Sequence, residues 1–436
     1  MTRRIAFSFV LAGIAIVLFS CRKEGPASPQ PNPAPQYKLS DFVSAKTCST
    51  CHPQYYDEWN GSMHRYSTSD PIWMLANNSL QLSTEGRLGK TCFQCHAPLG
   101  FLTGNTLPTF QFSELNDTVR EGVTCDFCHV LRPPYVTTNQ RIQYNLAPGG
   151  ARYGTLSNPV PAIHENGYDS EYDRSSVCRM CHDLIVNGVP VEITVTEWQN
   201  SPWGGMSVEC QTCHMLKYTG SAAVGGPVRN NLHRHTFVGV DVAITDFPNK
   251  PRQLAEIDSL LKHSATMTLL SPNSAAVNDS VSVSVRVYND KTGHNLPTSV
   301  FFNRQMWIEI TVWSGTDTAC RSGYLDANGD LMDSHSALYP DADKDLKLFG
   351  GTLYKNGQES NVFELDSLVN NSLAPFECRT ATYRFKATRT GMWNVKARLL
   401  FRPFGPYLFR ALGADQYVTE LPIFEMGVQE ALININ

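Results

Sequence analysis

The hydrophobic pattern changes character several times along the chain. Ile5–Phe19 is an almost unbroken apolar run behind the basic start Met1-Thr2-Arg3-Arg4. It is shorter than the ~20 residues a membrane span needs and has the length of a signal-peptide core. Gly25–Gln36 then carries five prolines among Ser, Asn, Gln and Ala, a composition that favours extended polyproline II over packing. From Leu39 to about Ser264 the chain is rich in Gly, Pro, Asn and aromatics and seldom keeps one period for long, which predicts short helices. One stretch is more regular: Tyr55, Tyr56, Trp59 and Met63 recur at helical spacing. Beyond Ala265 the period becomes two. Val281-Ser282-Val283-Ser284-Val285-Arg286-Val287 alternates perfectly, and Trp307–Trp313, Tyr383–Phe385 and Asn394–Leu399 follow it. Such alternation marks half-buried strands, and several of them predict an immunoglobulin-like antiparallel β-sandwich.

With 436 residues the chain exceeds one ordinary domain. The pattern divides it into a leader (1–21), a Pro-rich linker (22–38), a short-helix region (39–264) and an all-β region (265–436). The fold class is therefore mixed. The net charge of −4 gives no reason to expect a nucleic-acid partner.

Composition changes the picture most through cysteine. Ten of the thirteen cysteines fall in five copies of Cys-x-x-Cys-His. The copies are Cys48/Cys51/His52, Cys92/Cys95/His96, Cys125/Cys128/His129, Cys178/Cys181/His182 and Cys210/Cys213/His214. Random placement would give roughly 0.01 such patterns. The chemistry explains each position: two thiols become thioethers to the haem vinyl groups, and the adjacent His is presented to the iron as its axial ligand. Zinc clips would not need a His directly after the second Cys in every copy. Disulfides across two residues gain little from closure and leave the His unexplained. Five c-type haems are therefore expected in 39–264, with short helices opening after many of the motifs and the haems forming much of the core. The shortest intervals, Cys92 to Cys125 and Cys178 to Cys210, predict haem pairs that are neighbours in space.

The other three cysteines suit an exported protein. Cys21 ends Leu18-Phe19-Ser20-Cys21, which resembles the lipobox of bacterial lipoproteins. A lipid on Cys21 would tether the protein to a membrane surface, with the linker as a spacer of about 35–40 Å; an uncleaved anchor or simple cleavage are the alternatives. Cys320 and Cys378 are expected to pair as a disulfide in the β region, with two free thiols or an intermolecular bond as the alternatives. Asp326-x-Asn328-x-Asp330 and Asp341-x-Asp343-x-Asp345 have the spacing of Ca²⁺ loops but lack Gly at the sixth and Glu at the twelfth position, so they read as solvated acidic loops.

Sixth ligands must come from elsewhere. After the first motif the chain runs Tyr56-x-x-Trp59-x-x-Ser62-x-His64. Here it resembles a large family of multihaem c-type cytochromes that includes the tetrahaem electron carrier of ammonia oxidisers. The resemblance implies that His64 is a distal ligand, usually to a haem other than the one just before it. It extends to His164 ahead of the fourth motif, and to Leu232-His233-Arg234-His235-Thr236-Phe237-Val238-Gly239 after the last. In Thr292-Gly293-His294-Asn295-Leu296-Pro297-Thr298 it is similar to a turn found in members with a C-terminal β domain. It covers about residues 45–410. Of twelve histidines, five are proximal by position. His64, His164, His233, His235 and His294 then provide five distal candidates. His263, at a helix end where a cation suits the dipole, and His335, in a polar loop, are reserves.

Haems with two axial His lack an open position and pass electrons without binding substrate. The expected function is thus electron transfer between redox proteins, other cytochromes among them. The expected location is exported and lipid-anchored, in the periplasm or at the outer membrane or cell surface. Two other readings stay open. One is an oxidoreductase acting on a small nitrogen or sulfur compound at one five-coordinate haem, which would follow if His233 were not a ligand. The other is a subunit of a haem filament or multi-cytochrome complex.

Overall fold

The computed structural model describes residues 35–138, 141–160 and 163–436. The expected signal peptide, the lipobox Cys21 and most of the linker lie outside these residues. Among the described residues no helix is long and apolar enough to cross a membrane.

The helices of the first region are mostly short, as their broken periodicity predicts, and four of them run over the motifs and end at the motif His. Phe93–His96, Cys125–His129, Arg179–His182 and Cys210–His214 all do so. One is locally capped: Thr124 Oγ1 accepts from Phe127 N at 3.2 Å. After the first motif, Pro53 opens the helix Pro53–Asn60, where a missing N–H costs nothing. The periodic stretch 55–63 is not one helix. It breaks at Gly61, and Ser62 caps a second short helix, Met63–Tyr66. The break turns the chain so that Trp59 stays buried and donates from Nε1 to Val123 O at 2.8 Å.

The period-two segments form strands Ser280–Tyr288, Gln305–Ser314, Cys378–Lys386 and Gly391–Arg402. Two sheets result. Cys378–Lys386, Ser280–Tyr288 and Thr266–Leu270 pair antiparallel in that order. The larger sheet centres on Gln305–Ser314 and Gly391–Arg402, with Asp317–Ser322, Lys347–Phe349 and Phe424–Ile435 antiparallel beside them and the short Ser274–Ala275 added parallel to the last. Val281, Val283, Val285 and Val287 share one core with Ile308, Ile310, Val312, Trp393 and Val395 from the other sheet. At about 1.5–3 kcal/mol for each fully buried large apolar side chain, this shared core carries most of the region's stabilisation. Gly323, at φ +78°, is required by close approach: a Cβ there would lie 2.2 Å from Ile308 O.

The same core reaches back across the expected boundary at 264/265. The helix Lys250–Lys262 buries Ile257 and Leu261 in it, together with Val242 and Ile244. A second apolar cluster joins the Val186 and Val191 hairpin to Leu353 and Leu365. The two regions are thus packed as one body, because each leaves an apolar face that only the other covers.

Cys320 and Cys378 are both free. Cys378 is exposed on the outer face of its strand, whereas Cys320 packs against the core, so their side chains do not meet. The acidic loops are local scaffolding. Asp326 Oδ1 accepts from Asn328 N at 2.8 Å and Asp330 N at 3.0 Å, and Asp343 Oδ2 from Gly323 N at 2.7 Å. Asp330 is buried and paired with Arg410.

His335 belongs to this network. Its ring stacks on Tyr407 at 3.9 Å, and its nitrogens lie 3.0 Å from Glu359 and 3.5 Å from Asp333. Burial lowers its pKa, but the two carboxylates outweigh burial and push His335 up to about 9. A raised value stabilises the fold fully below the ordinary His value, and the contribution is lost as pH rises through about 9. His335→Gln should therefore cost about 1–2 kcal/mol near pH 6 and far less near pH 10. Denaturant midpoints at the two pH values read the difference, and an equal deficit at both would refute the pairing.

Candidate haem centre

The ten motif thiols and all twelve histidines line one continuous cavity of about 3060 Å³. Ordinary ligand pockets hold about 300–1,000 Å³, so this one has room for several large cofactors.

Three motif histidines face a second imidazole at nearly the same separation. Ring centroids are 6.2 Å apart for His52 and His164, for His129 and His235, and for His214 and His294. Rings in direct contact would sit closer. This gap instead admits one atom bonded to both, at metal–nitrogen distances of about 2.0–2.1 Å on each side. The outer nitrogens support that reading. Nδ1 points at a backbone carbonyl in every case: Ala222 (2.6 Å), Tyr153 (2.7 Å) and Val238 (2.6 Å) for the motif histidines. The partners use Glu165 (3.0 Å), His233 (2.9 Å) and Asn295 (2.8 Å). A carbonyl can only accept, so Nδ1 carries the proton and Nε2 keeps its lone pair for the cavity. Burial also pushes His235 and His294 down to about 4, which holds both neutral.

His64 is buried against Phe237, with ring centroids 4.4 Å apart. Burial, with His182 and then His235 nearby, pushes it down to about 3. His182 acts on His64 more strongly than His235 does, and it bears on His96, His214 and His294 as well. His96 is different. Its ring stacks on Trp73 at 4.6 Å and 6°, and its Nδ1 lies 3.3 Å from Ser67 O. No second imidazole lies across from it among the described residues.

His233, also expected as a distal ligand, does not face a motif imidazole at that separation among the described residues. It ends the strand Val228–His233, with Nδ1 2.7 Å from Met215 O and Nε2 3.2 Å from Asp173 Oδ1. Its Nδ1 is thus tied to a carbonyl like those of the facing histidines, while the buried Nε2 makes no hydrogen bond among the described residues and Asp173 is the carboxylate beside it. His263 caps its helix, with Nδ1 2.7 Å from Ser259 O.

Thiol contacts show which motifs adjoin. Cys178 reaches Cys210, as the short interval between motifs four and five predicts. The other short interval does not produce a thiol contact. Cys125 instead adjoins Cys48, and Cys95 adjoins Cys181. Motif four therefore touches both two and five, while one and three form a pair.

Buried and half-buried carboxylates hold these segments, and the sequence reading missed them. Glu58 Oε2 accepts from the backbone N of His235 at 2.7 Å, and Oε1 takes Arg234 Nη1 at 2.6 Å. Glu121 Oε2 accepts from Ala45 N at 2.9 Å, at the start of the first motif's helix. Glu209 Oε2 accepts from Ser175 N at 2.8 Å, just before the fourth motif. Asp126, inside the third motif, accepts from Val43 N at 2.8 Å and pairs with Arg152 at 2.7 Å. One signal was available: Glu58 lies on the same helical face as Tyr55, a charge among aromatics.

The donor set fits haem c: paired thiols, an adjacent neutral His, an apolar cavity and an opposing imidazole for three of five motifs. Comparisons with known proteins agree. Residues 47–130 match the family described as cytochrome c554 and c-prime. The crystal structure of a penta-heme cytochrome c552 from Thermochromatium tepidum superposes with a TM-score of 0.62 at 20% identity, covering 91% of this chain and 100% of that one. The CARDB domain of a Pyrococcus furiosus protein aligns with 39% of this chain and 89% of its own at 13% identity, but its TM-score of 0.18 is too low to bear on the fold. No curated protein matches the chain. The fold of this chain is that of a multihaem c-type cytochrome.

Proposed function

We propose that this protein carries electrons through five covalently attached c-type haems. The observation that carries the reading is the recurrence of one geometry, two imidazoles 6.2 Å apart with their Nδ1 atoms tied to carbonyls, at three separate motifs. Haem supplies a one-electron couple, and two axial His leave it no open position for substrate. The chain's own part is to fix the ligands and keep out water. Cys48 and Cys51 with His52, and the four equivalent triplets, would hold the haems. His164, His235 and His294 would close the first, third and fifth sites, and His64 is assigned to His182 from their proximity. The thiol contacts support a branched order, with the fourth site as the junction between the third, second and fifth: Cys128 lies close enough to Cys181 to raise its pKa.

The C-terminal sheets are read as an immunoglobulin-like sandwich, on the strength of two antiparallel sheets sharing one core. Export, a lipid on Cys21 and redox partners of the cytochrome type rest on the sequence, as does assembly into a filament or larger complex. The proposed location is the periplasm or the outer membrane.

A second reading rests on His96. Without a second imidazole the second site would be five-coordinate, open to a small nitrogen or sulfur compound. Two measurements decide. Intact mass and haem absorbance of purified protein should count five haems per chain; a lower number would remove a motif from the path. The second reading expects one high-spin ferric centre for four low-spin and one CO bound per chain by the reduced protein. Five low-spin haems and no CO binding would restore the pure relay.

The same spectra test the ligand assignments. His235→Ala should open one further haem to CO, whereas His233→Ala should leave spin state and CO stoichiometry unchanged. The reverse result would exchange the two residues' roles.

A further inference from the structure

His294 comes from the β region, whereas His214, opposite it, belongs to the fifth motif. Something must hold the two regions in register to keep the rings 6.2 Å apart and 22° from parallel. From the β side, Asn289 Nδ2 and Thr292 Oγ1 donate to His294 O at 3.0 and 2.7 Å. These bonds fix the loop to its own sheet and say nothing of the other region.

The tie across the interface is Glu197, in the short helix Thr194–Gln199 between motifs four and five. Its Oε2 accepts from Asn295 N at 3.1 Å and from Thr298 Oγ1 at 2.5 Å. Thr194 Oγ1, from the same helix, lies 2.8 Å from Thr298 Oγ1. Asn295 O in turn takes the proton on His294 Nδ1 at 2.8 Å. One peptide unit is thus gripped by Glu197 at its N–H side while the following carbonyl orients the ring. Gly293 completes the seat, its backbone lying against Trp198 and Trp203.

We infer that Glu197 is a positioning residue for His294, carrying the orientation of the β region's ligand onto the fifth haem site. A contact that only sealed the interface would be cheaper as an apolar one. Burial, with Glu192 and Asp183 nearby, pushes the carboxyl up to about 7 even though two donors oppose the shift. Two donors converging on one oxygen serve direction, as do the carbonyls behind metal-bound imidazoles.

The inference rests on His294 being an axial ligand, and the experiment separates the two. Four variants of the full holoprotein are compared with wild type by haem spin state and CO bound per chain: His294→Ala, Glu197→Ala, Glu197→Gln and Thr298→Val. Loss of a group that orients a ligand weakens it about 10–100-fold. His294→Ala should therefore add one CO-binding haem, and Glu197→Ala should add a substantial fraction of one. Glu197→Gln, whose amide oxygen can still accept from both donors, should restore the wild-type spectrum. Thr298→Val should keep all five haems, with a shifted low-spin signal for one, and it carries the test if Glu197→Ala does not assemble. A silent His294→Ala would overturn the ligand assignment itself. A positive His294→Ala beside Glu197→Ala and Thr298→Val spectra identical to wild type would overturn only the positioning role, even if both melt at lower temperature.

Discussion

A chain that surrounds so large and mostly apolar a cavity gains little from filling it with water, since polar partners line only part of its walls. The cofactors must therefore replace the side-chain core. Covalent attachment does this one motif at a time. On the proposed reading, each Cys-x-x-Cys-His would fix a porphyrin to its own short helix, and the fold's remaining task would be to bring a second imidazole to the other face. Binding energy and folding energy then become the same quantity, as in other metal-organised domains. This explains why the motifs themselves need only helices of four or five residues, too short to persist alone.

The second imidazole is where the difficulty lies, because it is always distant in sequence. His164, His235 and His294 reach back to His52, His129 and His214 from segments with no strong secondary structure of their own. The structure meets the resulting loss of chain entropy with buried and half-buried carboxylates. Glu58 holds the His235 backbone and Glu197 holds the segment beside His294, while Glu121, Glu209 and Asp126 lock motif helices to their neighbours. A buried carboxylate is expensive unless its lone pairs are used. All five accept from a backbone N–H group, and at Ala45 and Ser175 that group belongs to the unpaired first turn of a short helix.

These features differ in how plainly the sequence carries them. The motifs are legible because their chemistry demands contiguous residues. The strands are legible because a two-sided sheet imposes alternation on every residue, as in Val281–Val287. His164, His235 and His294 could be nominated only through resemblance to other cytochromes, since nothing local separates a ligand histidine from a hydrogen-bonded one. His233 shows the point: it is two residues from His235 and equally placed by pattern, yet of the two it is His235 that faces a motif imidazole at 6.2 Å. The neighbour relations of the motifs were less legible still. Sequence interval identified the contact of Cys178 with Cys210 but not those of Cys125 with Cys48 or Cys95 with Cys181, because interval measures chain length and not the fold's path through space.

The β region looked like an appendage in the sequence, set apart by its change of period. In the structure its core extends to Ile257 and Leu261 on the preceding helix and its hairpin contacts close over Val186 and Val191. Arg304, almost fully buried, pairs with Asp241 across the same interface, at 2.9 Å for one of its two bonds. A buried ion pair contributes little net stability but strongly disfavours any alternative register, because separating it strands a charge. The apolar contacts therefore stabilise the joint, while Arg304–Asp241 and Glu197 with the Asn295–Thr298 segment determine its geometry. A domain attached so rigidly differs from one tethered by a linker: small changes in its packing would be felt at His294, and through that ring at the fifth haem site.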